Sequence, residues 1–197
     1  VRLPEAALRN EEARSVLARL EAHEPGQRAH AVRVAVYAVA AGERLGLGDG
    51  ALVDLRFAAL LHDAGKLGVE RSLLTRAGPL DPEEMASVRT HAAAAAEVLA
   101  GLRFADEVVP IVMAHHERLD GSGYPGGRAG AAVSMASQLV GLSEAFDVAL
   151  TGTPWRPGAG RPAARAWAAG QAGAGFDAQA VAALLAVEPL IQPVGMP

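Results

Sequence analysis

The chain contains no cysteine. That excludes a disulfide framework and a thiolate-bound zinc site, and it makes a reducing cytoplasm the simplest setting. Aromatic residues make up only 4% of the chain, and alternating runs of β-branched and aromatic residues are essentially missing, which argues against a sandwich or barrel. No stretch approaches the roughly 20 consecutive apolar residues of a membrane-spanning helix. The opening residues VRLPEAALRNEEAR lack the apolar core of a secretory leader. A net charge of −4 argues against broad affinity for nucleic acid or anionic membranes. A small anionic ligand stays open, provided its positive contacts are local.

What is present is alanine and other apolar residues, 51% of 197. That suffices for one sizeable core and favours closely packed helices, an all-α bundle. Asn10 before EEARSVLARLEA reads as a capped helix, broken at Pro25-Gly26. Residues 27–46 are apolar on nearly every face, which predicts a buried helix. Asp49 is the expected cap of a helix over 50–64, with Gly65 as its stop. Asp81-Pro82-Glu83-Glu84 opens another helix, expected to run to Ala100. A further helix is expected over 104–116, a Gly-rich loop over 117–131, and a helix over 132–150. TPWRPGAGRP reads as a break, followed by two short helices, the last capped by Asp177. The expected organisation is a helical segment over 1–26, a domain over 27–188 and a loose tail over 189–197.

Five of the six histidines fall into a pattern: His30, the pair His62-Asp63, His91, and the doublet His115-His116. Only His23 stands apart. Imidazole and carboxylate together suit Fe, Mn, Zn or Ni. Neighbours on a helix point about 100° apart. Both members of an adjacent pair therefore reach one centre only near a helix end, or where a carboxylate bridges two ions. His30 and His91 belong to other helices, which a bundle core can bring together.

Read in order, His30 with His62-Asp63, then FAALLHDAGK (57–66), His91 and HHERLDGSGYPGG, the chain resembles the HD phosphohydrolase superfamily. Within it, the chain is similar to the HD-GYP family of cyclic di-GMP phosphodiesterases. The resemblance runs over residues 27–188. It implies a compact helical bundle with a GYP loop, and metal ligands at His30, His62, Asp63, His91, His115 and His116. It implies a seventh at Glu144, where the family has the first aspartate of D-x-x-D and this chain reads Glu144-Ala-Phe-Asp147. It implies two divalent ions, Fe or Mn before Zn or Ni, and cleavage of cyclic di-GMP to pGpG and on to GMP through a metal-activated water. Asp63 and Lys66 are the expected catalytic residues. Lys66, Tyr124, Asp147 and Arg156 are the expected substrate contacts. The GYP loop is a candidate contact for diguanylate cyclase domains.

Two departures qualify this picture. The glutamate that holds a third metal in some members falls on Gly26; Glu24 lies off register, so two ions are expected. The family's first R-x-x-R arginine is Thr153, with Trp155 and Arg156 following. Losing a charge-assisted phosphate clamp removes about 1.5–3 kcal/mol. Arg128 and Arg161 are the candidate replacements. A catalytically weak module that binds metal or nucleotide and signals through protein contacts is the alternative reading.

Overall fold

The computed structural model describes residues 10–191. Helix α1 (Glu11–His23) starts where Asn10 Oδ1 accepts the Ala13 amide at 3.0 Å. It buries Ala13, Val16, Leu17 and Leu20 in the same core as the helices that follow. Helix α2 (Gln27–Arg44) is buried along most of its length. It packs against α1, α3 (Asp49–Leu61), α8 (Met135–Thr151) and α10 (Ala178–Val187), and so forms the axis of the bundle. Around it lie α4 (Arg71–Thr75), α5 (Pro82–Arg89), α6 (His91–Leu99), α7 (Ala105–Met113) and α9 (Gly160–Gly170). The helical architecture agrees with the all-α expectation. Among the described residues, no helix is long and apolar enough to cross a membrane.

The differences from the expected elements are local, and several of them build the site. Asp49 is the first helical residue rather than the cap; Gly48 holds that position with no side-chain bond. Helix α3 stops at Leu61, and residues Ala64–Gly68 tighten into a 3₁₀ turn. Gly65 is not a left-handed stop. It lets this turn lie against α6, where a Cβ would stand 1.9 Å from the His91 carbonyl oxygen. The single helix expected over 82–100 is two. Asp81 and Glu84 form the predicted reciprocal cap of α5, but the chain breaks at Thr90, whose amide and hydroxyl both turn back to the Ser87 carbonyl. Helix α7 ends at Met113, three residues short of the expectation, because Ala114 leaves helical geometry at φ −106° and ψ 6°. The TPWRPGAGRP break holds a small antiparallel hairpin, β1 (Gly152–Thr153) with β2 (Arg156–Pro157). The chain then closes on a buried Glu188 paired with Arg161 and Arg165, and Ile191 still packs into the core. Of the expected loose tail, residues 192–197 lie outside the described residues.

Candidate metal centre

Both adjacent pairs sit at helix ends. His62 caps α3 and Asp63 turns out of the helix at φ −92° and ψ 8°. His115 and His116 follow the last turn of α7. The 100° divergence of neighbouring helical residues therefore does not apply, and each pair faces one centre.

Three imidazoles are oriented by the same device. His62 Nδ1 donates to the Ala59 carbonyl at 2.9 Å, His91 Nδ1 to the Val88 carbonyl at 2.8 Å, and His115 Nδ1 to the Val112 carbonyl. Each bond reaches back three residues to a carbonyl freed at a helix end. Each also selects the tautomer whose Nε2 lone pair points inward. Gly141 of α8 lets that helix lie on the His115 turn, where a Cβ would stand 1.8 Å from the His115 carbonyl oxygen.

The structure brings all seven expected ligands together. His30, His62 and Asp63 offer donor atoms within 4.8 Å of one another, as do His91, His115 and His116. Asp63 lies between the two triads. Its Oδ2 is 3.3 Å from His62 Nε2 and 3.9 Å from His30 Nε2, and its Oδ1 is 3.5 Å from His91 Nε2. Glu144 Oε2 is 3.5 Å from His115 Nε2 and 3.6 Å from His116 Nδ1. The extra methylene of glutamate thus leaves its carboxylate beside the second triad.

The donor set also fits a cation on energetic grounds. His115 Nε2, Asp63 Oδ1 and Glu144 Oε2 are buried with no hydrogen-bond partner, while Asp63 Oδ2 faces Lys66 Nζ at 2.9 Å and His62 Nε2 at 3.3 Å. One such atom costs roughly 1–3 kcal/mol. Acceptors converging in this way are a site for positive charge, and a cation there would displace the proton from His62 Nε2. Burial and the neighbouring histidines hold His115 and His116 well below the ordinary imidazole value, and burial lowers His91 as well. Their rings are therefore uncharged at neutral pH, and His116 Nε2 lies 3.2 Å from His91 Nε2. Burial would lower His62 too, but Asp63 beside it prevails and carries it up to about 9.

Asp147, expected at the substrate, stands behind His30 instead. It is fully buried, accepts from His30 Nδ1 at 2.7 Å, and takes both arms of Arg33 at 2.7 and 2.9 Å. Arg33 went unremarked in the sequence, although it lies one turn after His30 on the same face. Glu24, set aside as off register, reaches the site: its Oε2 is 3.3 Å from Lys66 Nζ, which is 2.9 Å from Asp63 Oδ2. His23, the histidine outside the pattern, holds the Val69 carbonyl at 2.9 Å and has a structural role.

The centre floors a cleft of about 610 Å³. Tyr124 lines it, its ring stacked on His116 with centroids 4.4 Å apart. Burial pushes the phenol well above its usual value, so it keeps a proton to donate. The loop that carries Tyr124 hangs on Glu117, which is 1% exposed and accepts the Gly126 and Arg128 amides at 2.6 and 2.9 Å. Thr153, Trp155 and Arg156 of the hairpin line the cleft as well. Neither proposed replacement for the lost arginine does. Arg161 is paired with Glu188, and Arg128 is absent from the lining.

Residues 14–179 match the HD domain family. The chain belongs to that family. Among its relatives, this HD domain is 36% identical over 180 residues to the cyclic di-GMP phosphodiesterase response regulator RpfG of Xanthomonas campestris, covering 90% of this chain and 48% of that protein. It is 37% identical over 137 residues to the 3'3'-cGAMP-specific phosphodiesterase 3 of Vibrio cholerae, covering 70% of this chain and 30% of that protein. The chain thus spans less than half the length of either. Among solved structures, an HDG"Y"P protein from Bdellovibrio bacteriovorus shares the fold at 20% identity with a TM-score of 0.68, covering 94% of this chain and 62% of that one. The resemblance read from the histidine pattern and the GYP string is borne out.

Proposed function

We propose that this HD domain is a metal-dependent phosphodiesterase that opens cyclic di-GMP to pGpG and cleaves that product further to GMP. The observation that carries the reading is the set of unpartnered donors at the floor of the cleft. The relatives named as cyclic di-GMP phosphodiesterases support the substrate class. Two sites are inferred because Asp63 faces both triads: His30, His62 and Asp63 would hold one ion, and His91, His115, His116 and Glu144, with Asp63, the other. Fe or Mn suits this nitrogen and oxygen set. When bound, such ions neutralise phosphoryl oxygens and bring the pKa of a water close to neutral.

The chain's own residues do the rest. Lys66, pushed up in pKa against the opposing effect of burial by Asp63 and Glu24, stays cationic and is placed to take a phosphate oxygen. Tyr124 donates its phenolic proton to the same phosphate. Asp147, with Arg33, fixes the ring of His30 and is a positioning residue. Trp155 offers a ring for a guanine base. The absence of cysteine fits a cytoplasmic setting. The GYP loop remains the surface proposed for diguanylate cyclase domains.

The test uses protein loaded anaerobically with Fe(II) or Mn(II) and given cyclic di-GMP, with 3'3'-cGAMP in parallel and products separated by chromatography. Linear pGpG and then GMP are the expected products. No turnover of cyclic di-GMP at full metal occupancy overturns the reading. Tight nucleotide binding without turnover would establish the weak signalling module, which Thr153 favours.

A further inference from the structure

A cyclic dinucleotide carries two phosphodiesters, and the floor of the cleft serves only one. The second needs a cation that is not already neutralised. Two of the basic groups lining the cleft are taken. Arg33 is committed to Asp147 with both arms, and Lys66, between Asp63 and Glu24, is already assigned to the phosphate at the floor. Thr153 brings no charge where the family has arginine. Arg156 remains, on the hairpin.

One further group lines the cleft from another wall. Arg89 ends α5, is exposed, and makes no ion pair among the described residues. Its guanidinium carbon stands 5.1 Å over the Tyr124 ring, which itself lies on His116 of the second triad. Guanidinium, phenol and imidazole are thus neighbours in turn, linking the second triad to an exposed arginine of the cleft lining. A guanidinium beside an aromatic ring and without a carboxylate partner keeps its N–H groups available for an anion. The Thr90 break places it there: α5 ends at Arg89, so the arginine and His91 serve different levels of one cleft.

Resting on the reading of the cleft as a cyclic dinucleotide site, we infer that Arg89 binds the non-scissile phosphate and takes over the clamp lost at Thr153. It is a specificity residue for substrates with two phosphates. The test compares wild type with Arg89→Gln and Arg89→Lys on cyclic di-GMP and on bis(p-nitrophenyl) phosphate, which has a single phosphodiester. Calorimetric binding of cyclic di-GMP to the metal-free protein is measured alongside. In Arg89→Gln, the ratio of kcat/KM for cyclic di-GMP to that for the small diester falls about tenfold to a hundredfold, and Kd for cyclic di-GMP weakens to match. Lysine, which keeps the charge but not the fork, restores part of the ratio.

A ratio and a Kd that both stay at wild-type values overturn the inference. Equal loss on both substrates also overturns it, since Arg89 would then act on the floor. Absence of turnover in the wild type with Arg89-dependent binding refutes the proposed reaction and leaves the clamp standing. Turnover with Arg89-independent binding does the reverse.

Discussion

The floor and the rim of the cleft are built by different rules. At the floor, three imidazoles are aimed by backbone carbonyls near helix ends, three residues back in each case, and a fourth by a fully buried Asp147. The angles of those three depend on where a helix stops. At the rim, a hairpin of two-residue strands and a Gly-rich loop present the side chains, the loop held through its backbone by Glu117 rather than through the side chains that face the cleft. The departures from the family pattern follow this division. Five histidines and Asp63 are intact at the floor, and Glu144 still reaches it. The rim has exchanged an arginine for Thr153 and a tyrosine for Trp155. Changing a floor residue disturbs the backbone around it, whereas changing a rim residue alters only what the cleft holds.

That contrast can be broken in four ways, in order of expected effect. His62→Ala and His116→Ala should each remove most of the bound metal, measured by elemental analysis after loading and desalting; full metal content in both would refute the assignment of the floor.

Asp147→Asn should lower stability by about 2–4 kcal/mol at pH 7, because it breaks a buried pair with Arg33 and the hold on His30. Burial opposes the ionised carboxylate, yet the bonds from His30 and Arg33 keep its pKa below the ordinary value. With the folded pKa depressed, the stabilisation is present above the unfolded value of about 4 and lost as pH falls through the lower folded one. The variant's denaturation midpoint should therefore change less than that of wild type below about pH 4. Parallel acid limbs would show that Asp147 does not titrate with folding.

Gly65→Ala should cost about 1–3 kcal/mol, since its Cβ meets the His91 carbonyl and the 3₁₀ turn must move off α6. Metal affinity should fall with it. A variant as stable as wild type, with the same metal affinity, would mean that the turn is loose. At the rim, Thr153→Arg should tighten cyclic di-GMP binding about tenfold to a hundredfold while leaving the denaturation midpoint in place. An unchanged Kd would show that the hairpin is not a clamp in this chain.

Much of the fold was legible because capping and periodicity are local. Asn10, the Asp81–Glu84 cap and Asp177 mark their helices as read. The misses are equally specific. Nothing local separates an 82–100 helix from two helices broken at Thr90, because alanine and threonine tolerate either. Gly65 looks like a stop in sequence, and its close approach to the His91 carbonyl exists only once α6 is in place. Glu24 was set aside on register, a one-dimensional measure that fails where Pro25-Gly26 bends the chain back toward Lys66.

By itself, the sequence determined the ligand types, their order along the chain and the helical character of the segments that carry them, since these depend on side-chain chemistry and local propensity. Tertiary structure decided which groups share a centre, that Asp63 faces both triads, that Asp147 stands behind His30 and not in the lining of the cleft, and that Arg89 lines it. Those facts depend on helices ending at particular residues and meeting at particular distances, which residue spacing along the chain does not encode.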